Sequence, residues 1–259
     1  MNSSLKITYI GGPTALLEWG GLRLLTDPTF DVGGGAYPSG PVTLHKLTGP
    51  GIGADSLGRL DAVLLSHDHH FDNLDHTGRK LLGKAERVFT TPEGAARLGG
   101  NASGLSHWQT ARIAASNGDT LLVTGTPARH GPVGGDRGPV TGFVLAFEAQ
   151  PDNAVYVSGD TVWYEGVAEV ARRFHIRTVI LFMGAARVKE VGPAHLTMTA
   201  EDGIAAAHAF PDALIVPVHY EGWRHFSESR TDIEQAFRKD GMEGRLLWIG
   251  AGESALAVV

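Results

Sequence analysis

Short apolar or alternating runs open the chain. LKITYI, TALLEW and LRLLTD are separated by Gly-Gly-Pro and Gly-Gly breaks, which predicts three consecutive strands. From Pro28 to Gly58 the chain is rich in glycine and proline and carries neither rhythm. A connection of that length without regular structure is uncommon and often functional. DAVLLS (61–66) then predicts a buried strand. NLDHTGRKLLGKA predicts a helix with Leu74, Leu81 and Leu82 on one side and Asp72 or Asn73 as its N-cap. RVFTT is a further strand and EGAARLG a short helix. Four more strands are expected at ARIAAS, DTLLVTGTP, VTGFVLAFE and AVYVSGD. Helices follow at VWYEGVAEVARRF, at TAEDGIAAAHAF behind a Thr199 cap, and at RTDIEQAFRKDG. The strands TVILFMG and ALIVPVHY alternate with them, and RLLWIG and SALAVV close the chain. Strands followed by mixed β/α elements, occurring twice, predict two αβ halves whose sheets face each other. No linker or internal repeat interrupts them, so residues 1–259 read as one domain.

Composition narrows the chemistry. The formal charge of −6 argues against an electrostatic grip on nucleic acid or on an anionic membrane. With 0 cysteines, disulfides and thiolate metal sites are excluded, and any metal must be held by nitrogen and oxygen. The N-terminus, MNSSLKITYIGG, lacks the basic region and apolar run of a secretory leader, and no apolar run is long enough to cross a bilayer. The expected location is the cytoplasm and the expected partner a small-molecule substrate; nothing in the sequence sets the oligomeric state.

The 12 histidines are placed unevenly. Four apolar strands each end in one nitrogen or oxygen donor: DAVLLS in His67, DTLLVTGTPAR in His130, AVYVSG in Asp160 and ALIVPV in His219. Strand ends in a layered sheet protein share a rim where side chains converge. Alone, each reads as ordinary loop chemistry, and Asp160 as the cap of a helix starting near Val162. All four recurring beside the cluster HDHHFDN (67–73) point to a metal centre. Imidazole and carboxylate without thiolate suit Zn²⁺, Mn²⁺ or Fe. One carboxylate among several histidines also suits a bridged pair of ions.

In this order of ligands the sequence resembles the metallo-β-lactamase superfamily. SGDT around Asp160, PVHYEGW around His219, TDP at Thr26–Pro28 and LTMTAED at Leu196–Asp202 are similar to its ascorbate-6-phosphate-lactonase-like branch. The resemblance spans almost the whole chain. It implies an α/β fold of αββα four-layer type, with two facing mixed sheets, helices outside and the metals at one edge. It also implies a hydrolase acting on a lactone or phosphoester, with one or two Zn²⁺ or with Mn²⁺.

The superfamily pattern His-x-His-x-Asp-His is not met letter for letter. Pairing His67 with His69 leaves Phe71 where Asp belongs. Reading His70-Phe71-Asp72-Asn73 in register keeps the Asp and inserts one residue after His67, and this reading is preferred. His67, His70 and His130 then form a first position and Asp72, Asp160 and His219 a second, with Asp160 bridging. Asn73 replaces the last histidine and offers only a carbonyl oxygen. Asp27 is the candidate to orient a ligating imidazole, Asp68 an alternative, and Asp75 and His76 read as helix-surface residues. Asp72 is the candidate to orient a nucleophile or receive a proton. His195 and His225, with Tyr220 and Arg129, are candidates for oxyanion stabilisation. Tyr37, His45 and Lys46 are expected to wall the pocket, Lys46 and Arg129 suiting an anionic substrate. The Asn73 replacement also admits a metal-binding protein of weakened catalysis.

Overall fold

The computed structural model describes residues 4–259; the first three residues of the stretch expected to lack a leader lie outside it. The first half contains β1 (Leu5–Gly11), β2 (Thr14–Trp19), β3 (Leu22–Thr26), β4 (Ala36–Ser39), β5 (Val42–His45), β6 (Ala62–Leu64), α1 (His76–Leu82), β7 (Val88–Thr90), α2 (Pro92–Leu98) and β8 (Ala102–Gly104). The second contains β9 (Thr110–Ala114), β10 (Thr120–Pro127), β11 (Thr141–Phe147), β12 (Gln150–Val157), α3 (Glu165–Arg173), β13 (Ile176–Phe182), α4 (Ala200–Ala209), β14 (Leu214–Val218), α5 (Arg230–Lys239) and β15 (Ser254–Ala257).

Seven strands form one sheet in the order β15-β1-β2-β3-β6-β7-β8, and six form the other, β14-β13-β12-β11-β10-β9. Each sheet is mixed. Pairing is antiparallel from β15 to β3 and from β12 to β9, and parallel from β3 to β8 and from β12 to β14. The parallel strands β6 (AVL) and β14 (LIVPV) are continuous apolar runs because both of their faces are covered.

The period of two along each strand divides the core into layers. On β11, Phe143, Leu145 and Phe147 face the opposing sheet, whereas Val144 and Ala146 pack under the helices. On β2, Leu17 points between the sheets and Leu16 towards α1. Trp19 and Phe147 meet edge to face across the sandwich, ring centroids 4.8 Å apart. The αββα architecture expected from the sequence is the one observed.

Two local expectations are corrected. The segment 28–58 is not irregular throughout: β4 and β5 pair as a hairpin, its apolar residues Tyr37, Val42 and Leu44 packing on Val188, Leu196 and Trp223. RLLWIG makes a single bridge, from Leu246 to Ile215. The first helix begins at His76 and its N-cap is Asp75, whose carboxylate accepts from the Gly78 amide at 2.8 Å. Asp72 and Asn73 precede that helix. Gly78 also lets α1 sit against the end of β3, since a Cβ there would lie 1.8 Å from the Pro28 carbonyl oxygen.

Candidate metal centre

Strand ends bring the polar residues together. β3 leads into Asp27, β6 into His67, β10 into His130, β12 into Asp160 and β14 into His219. His67, Asp160 and His219 have no solvent exposure, and His130 is 4% exposed. Two of these turns are strained. Asp27 has φ 21° and His219 φ 56°, left-handed values that are uncommon outside glycine and cluster at functional sites. Gly159 makes the approach of Asp160 possible: at φ +61°, a Cβ there would come 2.7 Å from the Thr141 oxygen and 2.8 Å from the Ser66 Cβ.

The donor atoms form a chain of short separations. His67 Nε2 lies 2.9 Å from His70 Nδ1, which lies 3.2 Å from His130 Nε2. His130 Nε2 is 3.5 Å from Asp160 Oδ2, and Asp160 Oδ1 is 3.3 Å from His219 Nε2. His219 Nε2 is 3.7 Å from Asp72 Oδ2, which pairs with His225 Nε2 at 2.9 Å. Ligands about 2.0–2.1 Å from a tetrahedral ion are about 3.3 Å from one another, so these spacings resemble edges of a coordination polyhedron. The sets His67/His130/Asp160 and Asp72/Asp160/His219 each gather their donor atoms within 4.8 Å, and Asp160 is common to both.

Proton bookkeeping points the lone pairs inward. The Leu196 carbonyl accepts from His130 Nδ1 at 2.8 Å, leaving Nε2 unprotonated towards the cluster. Ser66 Oγ donates to Asp27 Oδ1 at 2.9 Å and so accepts from His67 Nδ1, also at 2.9 Å. Asp27 therefore orients His67 through the Ser66 hydroxyl and not by direct contact. Burial pushes the Asp27 carboxyl well up, against the two hydrogen bonds from Ser66.

The imidazoles of the first group are held neutral. Burial and the neighbouring His70 push His67 well down, and burial with His130 lowers His70 to about 3. Burial also lowers His130. On the other side, burial opposes the charge on His219, yet Asp160 and Asp72 hold its pKa above the ordinary value. Burial would raise Asp72, but its hydrogen bond with His225 and that imidazole's charge keep it well below the usual carboxylate range.

His69 points elsewhere. Its Nε2 contacts the Arg137 carbonyl oxygen at 2.8 Å, tying the loop before β11 to the cluster. Its Nδ1 is buried without a hydrogen-bond partner, and His67, His69 and His70 also have donor atoms within 4.8 Å of one another. Asn73 is fully buried, with neither atom of its amide hydrogen-bonded. Asp68 pairs with Arg97, which, against burial, holds its carboxyl well below the usual range.

Beside His70, Asp72, His130 and His225 opens a cleft of about 420 Å³. Val42 and Leu44 of the hairpin line it, with Ala186, Val188, Val191 and Leu196 opposite and Arg137 at its edge. The hairpin thus walls the site, but through residues other than those expected. Tyr37 packs on Phe71, His76 and Trp223, and His45 is not among the lining residues. Lys46 is corrected from a substrate contact to a buried partner of Asp75, 2.7 Å away, and Asp75 from the helix surface to the interior. His76 is exposed, as expected. Arg129 stacks 4.5 Å over the Tyr164 ring, and Tyr220 lies 7% exposed between Tyr9 and Trp248. His195 is half-buried, with its electrostatic neighbours Asp202 and Glu228 near the start of α4, and it does not line the cleft. Asp160 is not a helix cap; α3 starts at Glu165 behind Tyr164. Ser66 was legible as the polar residue closing a strand before His67, whereas no sequence signal marks the Leu196 carbonyl.

Residues 22–220 match the family described as the beta-lactamase superfamily domain. UPF0173 protein YddR of Bacillus subtilis is 26% identical over 265 residues, covering 96% of this chain and 99% of its own. A UPF0173 metal-dependent hydrolase of Pyrobaculum arsenaticum is 25% identical over 83% of this chain and 84% of its own. Among solved structures, an isothiocyanate hydrolase from Delia radicum gut bacteria superposes with a TM-score of 0.82 at 24% identity, covering 98% of this chain and 100% of the other. A possible metal-dependent hydrolase from Veillonella parvula gives 0.80 at 21%, covering 98% and 99%.

Proposed function

The chain belongs to the beta-lactamase superfamily and is a metal-dependent hydrolase, and on that premise we propose that it cleaves a lactone or phosphoester-type small molecule with an apolar body. The observation that carries this reading is Asp160. Both of its carboxylate oxygens are buried without a hydrogen-bond donor, between His130 at 3.5 Å and His219 at 3.3 Å, and His130 in turn lines the cleft. A buried carboxylate without donors is costly unless a cation answers it.

The donor set fits divalent ions. His67, His70, His130 and Asp160 would hold one, a nitrogen-rich set suited to Zn²⁺. Asp72, Asp160 and His219 would hold a second, and its larger oxygen share, with only the Asn73 amide in place of a further imidazole, also suits Mn²⁺. A bound ion supplies Lewis acidity, polarising a substrate oxygen and making water nucleophilic near neutral pH. The protein's own part is positional. Val42, Leu44 and Val188 seat the apolar body and exclude water from it. Asp72, kept ionised by His225, orients the attacking water through its free Oδ1. His225, at the cleft wall, donates a proton to the departing oxygen.

The test pairs elemental analysis of the purified protein with turnover of bis-p-nitrophenyl phosphate and a lactone panel, after reconstitution with Zn²⁺ and with Mn²⁺. An isothiocyanate with an apolar substituent belongs on that panel, since the cleft is aliphatic and the similar solved hydrolase bears that substrate's name. Metal-dependent turnover supports the reading. Tight metal binding with no turnover of any substrate supports instead a metal-binding protein of weakened catalysis, which the Asn73 replacement favours.

A further inference from the structure

Beyond the cleft lies a second concavity of about 860 Å³, bounded by Arg187, Lys189, Arg224, His225 and Phe226. No carboxylate lines it. Among the described residues, none of the three cationic side chains has a hydrogen-bond or ion-pair partner, and all three residues are exposed. In a chain of net charge −6, three unanswered cations in one groove are a local reversal of sign.

The groove adjoins the cleft. His225 borders both. The segment 187–189 is shared as well: Val188, 9% exposed, lines the cleft, while Arg187 and Lys189 on either side of it line the groove. The Arg187 amide donates to the His225 carbonyl at 2.8 Å and the Arg224 amide to the His45 carbonyl at 3.0 Å, so backbone bonds fix the cations relative to the site.

We propose that this groove is an anion-binding subsite and that the substrate is an amphipathic organic anion. Its apolar body lies against Val42, Leu44 and Val188, and its oxyanion group, a phosphate, sulfonate or carboxylate, lies over Arg187, Lys189 and Arg224. The proposal rests on the reading of the cleft as the substrate site. It assigns to these three residues the anion recognition for which Lys46, buried on Asp75, is not available.

The test is calorimetric titration of the metal-loaded full chain with 1-octanesulfonate, a probe with an apolar tail and a poorly coordinating anion, and with methanesulfonate and n-octanol as head and tail alone. The triple variant Arg187→Gln/Lys189→Gln/Arg224→Gln should bind 1-octanesulfonate roughly tenfold more weakly than the parent. Binding to the parent should weaken as ionic strength rises, a readout independent of the variant's folding. Equal affinity in both proteins, indifference to salt, or no binding of 1-octanesulfonate overturns the proposal. Turnover by the parent, measured on the same metal-loaded preparation, reports separately on the hydrolase reading: a parent that turns over no substrate sinks that reading without changing the binding comparison.

Discussion

Lys46 Nζ lies 2.7 Å from Asp75 Oδ2, and the two side chains are 3% and 0% exposed. The pair joins the residue after β5 to the cap of α1. Asp75 also accepts from the Asp31 amide at 2.6 Å and from Gly78, and Lys46 lies 5.5 Å from the Trp223 ring centroid. The hairpin wall of the cleft and the chain leaving Asp72 and Asn73 are thereby clamped together.

Removing one partner of a buried pair leaves an uncompensated charge, which costs about 3–5 kcal/mol. Lys46→Met should lower the unfolding free energy by that order, read from denaturant melts. A loss within the surface range, below about 1 kcal/mol, would show that the pair does not hold the hairpin down.

His130→Ala and Asp160→Ala should each strip metal and abolish turnover, measured by elemental analysis and assay. Ser66→Ala acts one step further out: it removes the hydroxyl between Asp27 and His67 and should weaken metal affinity by about ten- to a hundredfold. Full occupancy in either of the first two variants would break the ligand assignment.

The sequence carried the fold well because the strands are apolar runs cut by glycine and proline, and because Thr199 caps α4 as read, the structure adding a capping box with Asp202. The rim of donors was legible for the same reason: each is the first imidazole or carboxylate after such a run. What escaped depends on distant partners. Lys46 and Asp75 are 29 residues apart, and neither alone says that it is buried. His195 flanks a motif-like segment, but its neighbours Asp202 and Glu228 come from α4 and the approach to α5. Arg187, Lys189 and Arg224 are unremarkable in the sequence and become a groove only through the backbone bonds of Arg187 and Arg224.

The register of the cluster is decided by comparing two alanine variants. His70 Nδ1 lies between His67 Nε2 and His130 Nε2, whereas His69 Nε2 is engaged by the Arg137 carbonyl. His70→Ala should lose metal and His69→Ala should retain it while loosening the 131–139 loop, seen as faster amide exchange there. Comparable metal loss in both would restore the other register.

Acid should destabilise the metal-free protein early. His70 is lowered from 6.5 to about 3, so between those values the unfolded chain binds its proton and the folded one does not. Its contribution is present above 6.5 and lost as the pH falls through that interval; His67 and His130, also depressed, act in the same direction. His219 is raised and acts oppositely, its contribution present below 6.5 and fading as the pH rises through its folded value. The three lowered imidazoles act against His219 and against the buried Asp27 carboxyl, which is raised and so also gains a proton on folding above 3.8; three against two, the melting temperature of chelator-treated protein should fall as the pH drops below 6.5. Asp72 and Asp160, both held low, add their loss below 3.8. A melting temperature flat across the interval would contradict neutral burial of the three imidazoles.

His225 separates binding from proton transfer. Its Nε2 is 2.9 Å from Asp72 Oδ2, its ring contacts those of Trp223 and Phe226, and it borders the cleft without belonging to either donor set. If it protonates the leaving oxygen, His225→Gln should keep the metal and the ring-sized volume but lose a titrating group. Such a loss costs about 10²–10⁴-fold in kcat. The loss should shrink for substrates whose leaving group needs no proton, such as p-nitrophenolate, and remain full for an alkoxide. Equal losses for both leaving groups would assign His225 to holding Asp72 in place, and metal loss in the variant would assign it to the centre itself.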